Sequence, residues 1–153
     1  DTFVKSMNTC TPSFIRVESD ESTYNLHVML RFELERAMIN GDLAIKDLPS
    51  AWNEKFKNFL GLDVPNDANG CLQDVHWSFG LVGYFPTYTL GNLYAAQMCG
   101  EFSALLTWLR ENIHQHGRRY SAAQLCQRAT GKPLQADPLM RHLERRVKPA
   151  YGM

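Results

Sequence analysis

With 153 residues, 44% of them apolar and 21% charged, the chain is long enough to bury a core and too apolar to be disordered. Lys plus Arg and Asp plus Glu both total 16, so a net charge of zero removes any global attraction to nucleic acid or anionic lipid. Cys10, Cys71, Cys99 and Cys126 are scattered, with neither a C-x-x-C metal motif nor a dense disulfide framework, and reduced thiols in a cytoplasmic protein are the expectation.

No apolar run approaches a membrane span, and no charged-then-apolar leader is read at the start. The chain begins Asp1-Thr2-Phe3 without Met and is expected to be a piece of something longer. Phe14-Ile15-Arg16-Val17-Glu18-Ser19 alternates imperfectly between apolar and polar and predicts a short strand near residues 13–19. Asp20 or Ser22 can cap a helix from about Thr23 to Asn40, with Glu21 suited to its first turn. Leu26, Met29, Leu30, Phe32, Leu34, Ala37 and Met38 give it an apolar face, and Gly41 ends it. A second helix starts at Leu48-Pro49, carries Trp52, Phe56, Phe59 and Leu60, and stops at Gly61. Residues 62–70 read as loop.

Pro86 opens a long helix through Leu90, Leu93, Tyr94, Ala96 and Gln97, passing or bending near Gly100 and continuing to about His114. Ser121-Ala122-Ala123-Gln124 is a capping box for a short helix ending at Gly131. Asp137-Pro138 opens a last helix through Val147. The reading is mainly α, a single helical domain over residues 1–153 with one small extended element.

The chemistry concentrates in Gly70-Cys71-Leu72-Gln73-Asp74-Val75-His76-Trp77, followed by Tyr84 and Tyr88. A His beside a Trp is commonly structural. Here Gln73 and Asp74 can fix the His76 tautomer or bond a ligand, and an imidazole with a phenol makes an oxyanion clamp. Loss of one such donor costs roughly 3 to 4 kcal/mol of transition-state stabilisation. Arg16 within an apolar strand needs a partner, with Glu18 and Asp20 the local candidates. A structural ion pair is the simpler reading, and a fork for a substrate carboxylate is the functional one.

His27 has no second His at helical spacing, His114 and His116 sit cheaply at a helix end, and His142 lies among arginines. No H-E-x-x-H or other complete metal set occurs. Met29, Phe32, Trp52, Phe56 and Trp108 read most simply as core. Arg118, Arg119, Arg128, Arg141, Arg145 and Arg146 read as a solvated face rather than a nucleic-acid track.

Two segments together carry a resemblance. Ile15-Arg16-Val17-Glu18-Ser19-Asp20 resembles the motif I-R-x-x-A-D, with Ser19 in place of Ala, and Gly70 to Trp77 fits G-x-x-Q-D-x-H-W in full. Both belong to the zinc carboxypeptidases typified by thermostable carboxypeptidase Taq. Flanking stretches agree, among them Leu30-Arg31-Phe32-Glu33-Leu34-Glu35 and Gly83-Tyr84-Phe85-Pro86-Thr87-Tyr88.

The resemblance implies the C-terminal helical part of a cleft-type zincin, an enzyme part whose parent is much longer. The H-E-x-x-H and third metal ligand would lie upstream, in a missing N-terminal part. The parent would use zinc, or another divalent metal such as cobalt, to release single C-terminal residues from peptides. This fragment would bind no metal, would be inactive alone, and would belong to a cytoplasmic homodimer. Arg16 is assigned the substrate carboxylate, His76 the substrate backbone or oxyanion, Tyr88 the oxyanion with Tyr84 second, and Gln73 and Asp74 the orientation of His76. The alternative is a non-catalytic helical module for binding or assembly.

Overall fold

The computed structural model describes residues 2–98 and 105–153. Among the described residues the helices are α1 (Thr2–Met7), α2 (Tyr24–Asn40), α3 (Leu48–Leu60), α4 (Pro86–Met98), α5 (Leu105–Asn112), α6 (Ala122–Thr130) and α7 (Asp137–Tyr151), accompanied by short 3-10 turns. They gather into two compact units, Asp1–Thr89 with Val147–Met153, and Leu90–Arg146.

The first unit is built on α2 against α3. Leu30 and Leu34 meet Leu48, Trp52, Phe56, Leu60 and Cys71, with Phe14, Leu26, Met38, Phe59 and Trp77 packed around them. The Trp52 and Phe56 rings lie 6.1–6.3 Å from Trp77 and Phe14, and from each other. Such contacts dominate the burial energy of a core this size. The α2 helix ends as expected, with Gly41 left-handed at φ 82° and its N–H on the carbonyls of Ala37 and Met38.

The buried stripe of α2 differs from the apolar face expected. Met29 and Phe32 are exposed, while His27, Arg31 and Glu35 are buried beside Val28, Leu30 and Leu34. These polar residues sit at i, i+4 and i+8, so they share one side of the helix. An apolar count missed them because their burial is supported by partners from other segments.

The strand expected near residues 13–19 is also corrected. Arg16–Glu18 is a 3-10 turn, and no strand occurs among the described residues. Without a neighbouring strand, the backbone donors close locally: Glu18 N–H donates to Ile15 O, and Ser19 N–H to Arg16 O. Ser19 Oγ also donates to Arg16 O at 2.6 Å, so serine at this motif position adds a lock that alanine lacks.

In the second unit, α6 has the expected capping box. Ser121 Oγ accepts from Gln124 N–H, and Gln124 Oε1 accepts from Ser121 N–H. Asp137 and Pro138 open α7, which runs past the expected end to Tyr151. The long helix expected from Pro86 to His114 is described as α4 and α5, with a 3-10 turn at His114–His116; the bend at Gly100, and Cys99, lie outside the described residues. The late arginines Arg118, Arg119, Arg128, Arg141, Arg145 and Arg146 are exposed, as a solvated face requires.

Candidate functional site

The two motifs form one interlocked object inside the first unit. Gly70 permits the loop to close on itself, since a Cβ there would meet Val64 Cγ1 at 3.1 Å and Asn66 O at 3.2 Å. The loop then delivers Gln73, whose carboxamide is bonded to main chain. Its Oε1 accepts Arg16 N–H at 3.0 Å, and its Nε2 donates to Phe14 O and Asn69 O, both at 3.0 Å. The side chain thus satisfies the backbone groups that a neighbouring strand would have taken. Gln73 holds the Arg16 turn and makes no bond to His76 among the described residues.

Asp74 is the hub. Oδ1 accepts from Arg16 Nε at 3.2 Å and Nη2 at 2.8 Å, and Oδ2 accepts from Arg31 Nε at 2.6 Å. The partner of Arg16 is therefore Asp74, from the second motif, rather than Glu18 or Asp20. Asp20 instead braces the entry to α2, accepting the N–H groups of Ser22, Thr23 and Thr11. Arg16 also donates from Nη1 to the Tyr24 hydroxyl at 3.0 Å. These bonds leave the second hydrogen of each terminal nitrogen for another acceptor.

Burial opposes charge on all three groups, and the ion pairs answer it to different degrees. Burial alone would raise the Asp74 carboxyl pKa, but Arg31 and Arg16 hold it below the ordinary value. For Arg16 burial pulls down, yet the bonds and charge of Asp74, helped by Tyr24, leave it raised. Arg31 is enclosed more completely, and burial lowers it to about 10 despite Asp74. All three stay charged at neutral pH.

His76 and Tyr88 meet at the same place. His76 Nε2 lies 3.0 Å from the Tyr88 hydroxyl, and the imidazole rests on Phe85 at 4.4 Å between ring centroids. Asp74 Oδ1 stands 3.8 Å from Nδ1, beyond a normal hydrogen bond. Its negative charge favours the proton on Nδ1, which makes Nε2 the acceptor and Tyr88 the donor. The Arg16 guanidinium lies over the Tyr88 ring at 4.8 Å, a cation–π contact. Tyr84 packs 5.5 Å from Tyr88 and 5.6 Å from His76 but is more exposed. Guanidinium, imidazole and phenol, from three separate segments, converge.

Sequence reasoning gave Arg31, Tyr24 and Glu35 no role and weighed His27 only as a metal ligand. Trp77 Nε1 donates to Glu35 Oε1 at 2.7 Å, and Arg31 Nη1 donates to His27 O at 2.8 Å. The available signal was the 27, 31, 35 spacing, which sets three polar groups beside Leu30 and Leu34.

His27 is fully buried, and neither ring nitrogen makes a hydrogen bond of normal geometry. Burial first, then the charges of Arg31 and Arg16, lower its pKa to about 4. The unfolded chain takes up this proton near pH 6.5, whereas the fold refuses it until about pH 4. Stability contributed by His27 is therefore intact above pH 6.5 and falls as pH drops to 4, by about 3 kcal/mol in all. The depressed Asp74 loses its own contribution only at still lower pH. Urea unfolding from pH 7 to 4 checks this, and His27→Phe should give a shallower profile.

Among the described residues, no group of three or more His, Cys, Asp or Glu side chains is gathered to hold a metal ion.

The family described as Carboxypeptidase Taq (M32) metallopeptidase matches residues 1–147. The chain belongs to this family. It is 45% identical to thermostable carboxypeptidase 1 of Thermus thermophilus over 96% of its own length and 32% of that protein. To carboxypeptidase 1 of Bacillus subtilis it is 41% identical, over 99% of the chain and 33% of the relative. The crystal structure of the M32 carboxypeptidase from Deinococcus radiodurans superposes with a TM-score of 0.89 at 43% identity, covering 97% of this chain and 33% of that one. Metallocarboxypeptidase 1 of Trypanosoma cruzi gives 0.88 at 41%, covering 94% and 32%. The chain thus spans about a third of the length of the carboxypeptidases it matches. Its helical fold is part of the M32 fold, and the metal expected of an M32 enzyme finds no matching donor set among the described residues.

Proposed function

We propose that this chain is the C-terminal part of a metal-dependent carboxypeptidase of cleft-type zincin architecture, releasing single C-terminal residues from peptides. The observation that carries the reading is the convergence of Arg16, His76 and Tyr88 on one spot, with 3.0 Å between imidazole and phenol and 4.8 Å between guanidinium and ring. An exopeptidase needs a fixed cation for the terminal carboxylate and a neutral donor beside it for the reacting carbonyl.

Arg16 supplies the cation. Asp74 occupies the side of its fork, and the free hydrogens on Nη1 and Nη2 can take the two carboxylate oxygens. On substrate binding Tyr88 turns its single O–H from His76 Nε2 to the developing oxyanion, and the freed Nε2 accepts from the substrate backbone, with Tyr84 as second phenol. Gln73 fixes the Arg16 turn, and Asp74 orients both Arg16 and His76. The divalent metal and its ligands are assigned to the remainder of the parent. The parent is expected to be a cytoplasmic homodimer.

The test compares a blocked dipeptide ending in a free carboxylate with its C-terminal amide, using the full-length parent. Arg16→Ala is expected to lower kcat/KM for the free acid about 100-fold and to leave the amide nearly unchanged. Arg16→Lys should recover part of the loss. A folded Arg16→Ala parent with undiminished turnover would overturn the proposal in favour of a non-catalytic helical module. Chelator-sensitive hydrolysis by residues 1–153 alone would overturn the placement of the metal.

A further inference from the structure

We infer that Arg31 is a positioning residue for carboxylate recognition: it holds the back of Asp74, so that Asp74 grips Arg16 without cancelling its charge. This rests on the function proposed for Arg16.

Asp74 divides its oxygens between two cations. Oδ1 faces Arg16 Nη2 at 2.8 Å, and Oδ2 faces Arg31 Nη2 at 2.6 Å. One carboxylate bonded to two guanidiniums leaves the trio with one net positive charge. Arg31 cannot present that charge to a ligand. Its side chain is fully enclosed, with the guanidinium 4.6 Å over the Trp52 ring and 5.3 Å from Phe85, and Nη1 tied to the His27 carbonyl. Glu35, one turn further along α2, is engaged by Trp77. Arg31 Nη2 makes no hydrogen bond of normal geometry either, but it is sealed in the core, so the charge of the trio can reach a ligand only through Arg16, whose terminal nitrogens each keep one hydrogen uncommitted.

Without Arg31, Asp74 keeps a single cation. Its Oδ2 is left buried without a partner, and the carboxylate turns both oxygens to Arg16, forming a neutral pair. A neutral pair attracts an anionic chain end weakly and a C-terminal amide no less than before. Arg31 thus governs discrimination between acid and amide through Arg16, without touching substrate.

The experiment uses the metal-loaded full-length parent and a blocked dipeptide as free acid and as amide. Arg31→Met is expected to lower the acid-to-amide ratio of kcat/KM about 50-fold, mostly through KM for the acid. Arg31→Lys keeps the charge and should hold the ratio within about 5-fold of the original. In an Arg16→Ala background, Arg31→Met should change the ratio no further, because the two act through one bond. Should Arg31→Met fail to fold, Arg31→Gln takes its place and the same loss of ratio is expected. A folded Arg31→Met or Arg31→Gln parent with unchanged ratio, beside an Arg16→Ala parent whose ratio collapses, overturns the role of Arg31 alone. If Arg16→Ala also keeps the ratio, the function proposed for Arg16 fails first.

Discussion

Asp74→Ala is expected to destabilise the chain by about 3–5 kcal/mol, more than the loss of any surface charge would. The cause is what remains. Arg16 and Arg31, with side chains 6% and 0% exposed, would face each other with no anion between them. Arg31 is already held near 10 by burial, and without Asp74 it would have no counter-charge in bonding contact. Urea unfolding and amide exchange along α2 check this, with exchange accelerating by roughly two to four powers of ten. Asp74→Asn keeps the shape and one acceptor oxygen, so it should lose less. An alanine variant as stable as the original would mean that the trio is held by the packing around it rather than by the carboxylate.

The largest effect on catalysis is expected at Tyr88. Tyr88→Phe removes one hydroxyl and leaves the ring under Arg16 and against Phe85 undisturbed. In the full-length parent it should lower kcat by about 10²–10³ with little change in KM, the signature of a donor used in the transition state. His76→Ala should cost a similar factor and add a loss of packing, because the imidazole sits 4.4 Å from Phe85. The double variant should be little worse than either single one, since His76 and Tyr88 share one hydrogen bond. Steady-state kinetics on folded variants decides. Unchanged kcat for Tyr88→Phe would remove the phenol from the oxyanion role and leave Tyr84 to be tested in its place.

Much of this molecule was legible residue by residue. Pro86, the Ser121–Gln124 box, Asp137-Pro138 and the glycines at 41, 61 and 131 mark helix ends where their backbone chemistry demands them. Two kinds of information were not local. The segment around Arg16 alternates like a strand, yet its backbone partner is a side chain 57 residues away, which no short window contains. The spacing of the polar stripe on α2 was visible but its burial was not, because Asp74, Phe85 and Trp52 close around Arg31, and Phe56 packs on His27, from other segments. The meeting of His76 and Tyr88 was legible because the unusual density of functional groups survives in one dimension. The route by which Asp74 serves them, bridging α2 to the Arg16 turn, was not.

The Gln73 carboxamide, stitched into the main chain at Phe14 and Arg16, has a consequence for any attempt to transplant this chemistry. Neither signature peptide is a portable cassette. Moving the first without the second deprives its turn of a template, and moving the second without the first leaves an amide and a carboxylate with nothing to hold. A host scaffold would have to receive both, together with the helix that backs them, as a single inseparable insert.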